Sequence, residues 1–220
     1  MQTAVIFDLD GTLVNSSHGI LTSLAAAFDT NGLKPAQPLS SELVGPPLRE
    51  TLCLLCPKPN DAALEQLTIS FKSHYDTTGF RKTIPFPQVE EMLQSLAKAK
   101  IPLHIATNKR HRPTIQILEA LAWSDMFDKV LSPDSFYPTL SSKAAILTQL
   151  LIESNLAAEE CLYIGDRFDD YNAAKEVGIP FALAEWGFEG DGRNFSPDAF
   201  ILKTPNADQI MNSFTERPCS

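Results

Sequence analysis

Short runs of apolar residues alternate along most of the chain with stretches whose apolar positions recur at helical spacing. Residues 3–7 (TAVIF), 101–106 (IPLHIA), 161–164 (CLYI) and 179–183 (IPFAL) predict buried strands, continuous in apolar character as parallel strands are. Val130 with Leu131, and residues 199–202 (AFIL), predict shorter ones. Between them the spacing predicts helices over 88–99, 113–122, 141–154 and 169–177. Pro113 opens the second in its first turn, and Gly178 closes the last. Strands alternating with helices predict an α/β fold built on a doubly wound parallel sheet. Residues 17 to about 80 break that rhythm. Ile20, Leu21, Leu24, Ala25 and Phe28 form a helical stripe ended by Gly32, and helical patterns return at about 47–56 and 61–76 with no strand between. This predicts an all-helical domain, residues 15–82, inserted into a core of residues 1–14 and 83–220, with Gly79, Pro85 and Pro87 marking its exit.

Composition narrows the function more than the fold. A chain of 220 residues with 44% hydrophobic and 20% charged residues belongs to the globular class rather than the disordered one. Its net charge of -9 argues against non-specific nucleic-acid binding, which depends on clustered Lys and Arg. No run approaches the roughly 20 apolar residues of a membrane span. Thr3 to Phe7 is too short and lacks the basic flank of a signal peptide. Cys53 and Cys56 make a CxxC within the apolar segment 52–56, but no second pair or nearby His completes a zinc site. Helix-core packing in a reducing cytoplasm is the expectation. An anionic ligand would have to be drawn by local positive charge that outweighs the net field, and a metal ion is its simplest source.

The candidate chemistry collects where strands end, the edge at which open parallel sheets bind ligands. After 3–7 comes Asp8-Leu9-Asp10-Gly11-Thr12, after 101–106 comes Thr107-Asn108-Lys109, and after 161–164 comes Gly165-Asp166-Arg167-Phe168-Asp169-Asp170. Asp8 and Asp10, at i and i+2 of an extended segment, face one side roughly 7 Å apart, so both can address one bound group. Gly11 permits a sharp turn, and Thr12 can bond an anion or cap that turn. Asp166 and Asp170 open a helix four residues apart and can share one cation with Asp8. A hard divalent ion held by few carboxylates, water and phosphate oxygen fits Mg²⁺. Asp169 points elsewhere and suits the helix N-terminus by its charge alone. Lys143 does the opposite, placing a cation in the first turn of its helix, where it opposes the dipole.

These residues, in this order, resemble the haloacid dehalogenase superfamily of phosphatases. FDLDGT at 7–12 is similar to its first motif, Thr107-Asn108 to its second, Lys143 to its third, and Gly165-Asp166 with Asp170 to its fourth. Residues 44–48 (VGPPL) and Trp186-Gly187 look like the phosphoglycolate-phosphatase-like branch, with a Rossmann-like core and a helical cap inserted after the first motif. The resemblance implies that Asp8 attacks phosphorus and forms an aspartyl-phosphate, and that Asp10 protonates the leaving oxygen and then activates water. It implies that Thr107, with backbone N–H groups near Gly11 and Asn108, binds phosphoryl oxygens, and that Lys143 screens Asp8 against the phosphate. Mg²⁺ would be held by Asp8, the main-chain oxygen of Asp10, Asp166 and Asp170. The substrate implied is a small phosphorylated metabolite, phosphoglycolate-like or a sugar phosphate.

Other readings compete. A β-phosphoglucomutase-like phosphotransferase shares core and cap, and His18 gives it some weight. A receiver-like phosphoacceptor module also uses clustered Asp, Thr and Lys, but has no need of an insertion of some 65 residues or of a second Asp two places after the acceptor. The chain departs from family habit at Asn15, at Lys143-Ala144-Ala145 and at Pro87-Gln88-Val89, where Asp, Lys-Pro-x-Pro and Pro-Gly-Val are common. In the helical segment, Arg49 is the candidate for the remote end of the substrate, because a guanidinium grips carboxylate or phosphate in a bidentate way. Lys109 is a weaker one, within a run, 109–112, that otherwise reads as a solvated face.

Overall fold

The computed structural model describes residues 4–188 and 200–215. Thr3 and Ala199, the first residues of two predicted strands, therefore lie outside the described residues. Eight strands and eight α-helices are named below in chain order. The central sheet contains β1 (Ala4–Phe7), β4 (Leu103–Ala106), β5 (Lys129–Leu131), β6 (Cys161–Gly165), β7 (Phe181–Ala184) and β8 (Phe200–Leu202). All neighbours are parallel, in the order β5-β4-β1-β6-β7-β8. From β1 the chain runs outward through β4 to β5, then returns to lay β6 on the other side of β1 and continues through β7 to β8. The reversal makes the carboxyl ends of β1 and its neighbours the switch point of a doubly wound fold.

Alternation along β1 divides the core into two layers, as a period of two requires. Val5 and Phe7 join an apolar cluster with α4 (Val89–Lys98), α5 (His111–Ala120) and α8 (Ala207–Thr215), through Leu93, Ile117 and Ile210. Ala4 and Ile6 join a second cluster with α6 (Lys143–Ser154) and α7 (Phe168–Val177), through Ile146, Leu150 and Ala174. Local signals set the helix ends. Ser142 caps α6 by accepting from the Ala145 N–H at 3.1 Å, and Gly178 closes α7 at φ 81°. Gln88 occupies a left-handed position (φ 68°) just before α4, a conformation that costs an L-residue about 1–2 kcal/mol.

Between β1 and α4 the chain builds α1 (Ser17–Thr30), α2 (Leu48–Leu55) and α3 (Asp61–Tyr75). A two-stranded hairpin, β2 (Val14–Asn15) with β3 (Ile84–Pro85), ties the entry of this segment to its exit. It is too short to leave an alternating pattern, as is the unexpected α8 to leave a long helical one. Leu24, Leu52, Leu67 and Phe71 belong to the same continuous apolar cluster as the sheet residues Phe7 and Ile105, so the helices do not close a core of their own. Gly19 of α1 lies against the backbone of Gly79, where a Cβ would collide with the carbonyl. Of the CxxC pair, Cys56 is buried but Cys53 is exposed, which corrects the expectation that both pack into the helix core. No helix among the described residues is long and apolar enough to cross a membrane.

One buried group in the sheet is incompletely satisfied. His104 on β4 is 3% exposed, and neither ring nitrogen has a hydrogen-bond partner among the described residues. Burial pushes its pKa below the usual value, with the Asp128 carboxylate opposing and Lys129 assisting. A depressed folded-state pKa means the unfolded chain takes up the proton first, so stability is present above about pH 6.5 and is lost as pH falls below it. The slope from this group is at most about 1.4 kcal/mol per pH unit. His104→Leu is expected to flatten the fall, and urea midpoints of both proteins between pH 5 and 7.5 check it. Parallel curves would contradict it.

Candidate active site

β1 ends at Phe7, and the next residue, Asp8, donates its N–H to Ile164 O at 2.9 Å, so its side chain emerges at the switch point. It meets Lys143, the first residue of α6, whose Nζ lies 2.8 Å from Asp8 Oδ1 and 2.9 Å from Asp170 Oδ1. Nζ also donates to the Tyr163 hydroxyl at 3.1 Å, and that hydroxyl donates to Asp170 Oδ1 at 2.9 Å. All four side chains are buried. Burial alone would lower the Lys143 pKa, but the carboxylates of Asp170 and Asp8 outweigh it and raise it, keeping the ammonium charged. The cation that looked misplaced against the helix dipole is held by two carboxylates.

Asp8, Asp166 and Asp170 bring carboxylate oxygens within 4.8 Å of one another. Asp166 accepts from the Phe188 N–H at 2.8 Å and, more weakly, from the Thr12 hydroxyl at 3.4 Å. Asp170 accepts from the Arg167 N–H at 3.2 Å. Three carboxylates around one ammonium leave two negative charges in excess. Burial first, and the neighbouring carboxylates next, therefore raise the Asp166 pKa well above its ordinary value. Burial likewise lifts the Asp8 carboxyl to about 6, against the pull of Lys143. Asp8 Oδ1 has the Lys143 ammonium as its partner, as an ion pair and a hydrogen bond. A divalent cation would offset the formal excess of two negative charges on the three clustered carboxylates, so these residues fit one. Gly11 (φ 90°) and Gly187 keep the space open, because a Cβ on either would fall onto the Asp166 carboxylate.

Asp10 does not share the partner of Asp8. Its carboxylate takes Lys109 Nζ at 2.8 and 3.0 Å and the Ser16 hydroxyl at 2.5 Å. Both members of the Asp10–Lys109 pair are nearly buried, with side-chain exposures of 9% and 6%. Lys109 Nζ also sits 4.8 Å from the centre of the Tyr75 ring on α3. The next residue, Arg110, grips Asp76 with both terminal nitrogens, at 2.5 and 3.0 Å. Asp10, Asn108, Lys109 and Arg110 line a cavity of about 370 Å³, roofed by Leu48 and Phe71 of the inserted helices.

The model of the haloacid dehalogenase-like hydrolases matches residues 5–184. The chain belongs to that family. Phosphoglycolate phosphatase of Xanthomonas campestris is 32% identical over 205 residues, covering 90% of each chain. The tyrosine-protein kinase PtkA of Mycobacterium tuberculosis is 29% identical over 185 residues, which cover 84% of this chain but 62% of that protein, so this chain spans about three-fifths of its length. Among solved structures, a haloacid dehalogenase-like hydrolase from Streptococcus pneumoniae superposes with a TM-score of 0.82 at 28% identity, over 96% of this chain and 98% of that one.

The four haloacid dehalogenase motifs lie at the carboxyl ends of β1, β4 and β6 and at the start of α6. Asp8 and Asp10 lie side by side, each with its own ammonium. The Gly11 N–H is bonded to Val14 O at 2.9 Å, so it serves the turn rather than an anion. Thr12 is fully buried, its hydroxyl turned to Asp166 and its carbonyl accepting from Trp186 Nε1 at 2.8 Å. Thr107 is buried, and its oxygen accepts from the Lys109 N–H at 3.2 Å. Arg49 is not brought to the site: its side chain is 64% exposed and pairs with Asp61 at 2.6 Å. The 109–112 run is only partly a solvated face: Lys109 and Arg110 are paired with Asp10 and Asp76, whereas Arg112 is exposed.

Tyr163 was missed in the sequence, where it reads only as strand core. The available signal is its hydroxyl, which requires a partner wherever it is buried in a central strand. Tyr163→Phe leaves Lys143 and Asp170 each short of one partner in a dry site. It is expected to lower stability by about 1–3 kcal/mol at neutral pH. A chemical-denaturation midpoint unchanged from wild type would contradict this.

Proposed function

We propose that the chain is a Mg²⁺-dependent phosphatase that hydrolyses monoesters of small phosphorylated metabolites through an aspartyl-phosphate on Asp8. The observation that carries this reading is the pairing of two neighbouring aspartates with two separate ammonium groups, Asp8 with Lys143 at the three-carboxylate cluster and Asp10 with Lys109 at the cavity wall. One sits against an ammonium among the clustered carboxylates, as a nucleophile does, and the other faces the cavity. Membership of a hydrolase family and likeness to a protein named phosphoglycolate phosphatase support the reaction class.

In this reading Asp8, Asp166 and Asp170, with the main-chain oxygen of Asp10, would hold the metal ion, which would supply positive charge against the phosphoryl oxygens. An Asp8 oxygen attacks phosphorus, the bond from phosphorus to the alcohol oxygen breaks, and Asp10 delivers a proton to that oxygen. Asp10 then takes a proton from water, which attacks the aspartyl-phosphate and releases inorganic phosphate with Asp8 restored. Lys143 offsets the repulsion between Asp8 and the ester, and Thr107 with Asn108 orients the phosphoryl group. Catalysis here is positioning and electrostatics.

Residues 15–82 act as a cap over a core of 1–14 and 83–220 in this account. The receiver-like alternative gives Asp10 and its ammonium no task. The phosphotransferase alternative loses its particular support, because His18 is exposed on α1 and does not line the cavity.

Asp8→Asn is expected to abolish phosphate release while leaving the circular dichroism spectrum unchanged, and excess chelator should do the same to the wild type. Activity surviving either treatment would sink the mechanism. Asp10→Asn should slow turnover by roughly 10²–10⁴-fold. Phosphate should then accumulate on Asp8, detectable as an 80-Da adduct by mass spectrometry on the order of one per chain. A slowed variant that carries no adduct would remove Asp10 from the hydrolytic step.

A further inference from the structure

The cavity beside Asp10 has a composition that selects among phosphate esters. Its walls are largely apolar: Ile20 and Leu24 of α1, Leu43, Leu48 of α2, Phe71 of α3 and Pro113 of α5. The charges among them are already matched. Lys109 is paired with Asp10, and Arg110 is paired in bidentate fashion with Asp76. Of the two that remain, Asp134 accepts from the His111 N–H at 2.7 Å, and Lys72 is exposed at the rim, where its ammonium stays hydrated. A second anionic group in this space would give up its hydration with no uncommitted guanidinium to receive it. Size points the same way, because about 370 Å³ would hold roughly a dozen waters at about 30 Å³ each. Glycolate, a two-carbon acid, would leave most of that apolar space wet.

We infer that the substrate is a phosphate monoester of an uncharged, largely apolar alcohol, aromatic or branched aliphatic, whose body fills the cavity between Asp10 and the inserted helices. This rests on the phosphatase reading above. The ester oxygen lies at Asp10, and the alcohol carbon skeleton extends from it toward Leu48 and Phe71. Burial of that skeleton is the binding term that separates such esters from phosphoglycolate. Leu48, half-buried at the start of α2, is the residue that sets this preference.

The test compares phosphate release from benzyl phosphate, 3-methylbutyl phosphate and phosphoglycolate in the presence of Mg²⁺, with alkyl-type alcohols chosen so that differences report the pocket rather than leaving-group reactivity. The expected result is a kcat/KM at least tenfold higher for one or both apolar esters than for phosphoglycolate. Benzyl against 3-methylbutyl then tells an aromatic from an aliphatic alcohol. Leu48→Arg, which adds an uncommitted cation to the wall, should move the ratio at least tenfold toward phosphoglycolate. A wild type that prefers phosphoglycolate, or hydrolyses all three equally, overturns the inference and leaves the phosphatase reading intact. Release from none of the three overturns both.

Discussion

A carboxylate taken out of water loses hydration worth several kcal/mol, and three of them converge beyond β1 and β6 with a single ammonium between them. Lys143 makes that concentration of charge compatible with a fold. Its position follows from the sheet: β1 delivers Asp8, β6 delivers Asp166 and Tyr163, α7 delivers Asp170, and α6 starts with the lysine beside them. Tyr163 completes the arrangement by accepting from the ammonium and donating to Asp170. The remaining two negative charges are the electrostatic specification for a divalent cation.

The same logic governs the second aspartate. Asp10 lies two residues beyond Asp8, yet the turn closed by Gly11 sends its carboxylate to a different ammonium and to Ser16. Proximity in sequence therefore gives proximity in space without a shared partner. Lys109 couples this pair to the inserted helices through the Tyr75 ring, and Arg110 does so through Asp76.

Most of the framework was legible in sequence because each part had a local cause. The four long strands, the capped helices and the strandless stretch before residue 80 all carried periodic signals. Asp8, Asp166, Asp170 and Lys143 were legible because a charge at the end of an apolar strand, or against a helix dipole, breaks a local rule. What escaped depended on partners distant in the chain. Whether Arg49 turns to a substrate or to Asp61 is decided by where α3 begins. Whether 109–112 is solvated is decided by where α3 ends. Gly11 and Thr12 are short of free donors because the turn and Asp166 use them, and no spacing rule contains that information.

The end of α3 consequently bears on both chemistry and selection. Tyr75 and Asp76 are consecutive, and they hold the consecutive Lys109 and Arg110 on the loop after β4. Withdrawing α3 would leave Arg110 without its carboxylate and would expose the Asp10–Lys109 pair to water, weakening it through the higher dielectric. With α3 docked, both cations are committed and the cavity presents apolar walls to whatever sits against Asp10. The contacts that keep the helical segment seated are thus the ones that commit Lys109 and Arg110 at the cavity beside Asp10. Position of the helices and character of the pocket are one variable, set by two neighbouring ion contacts.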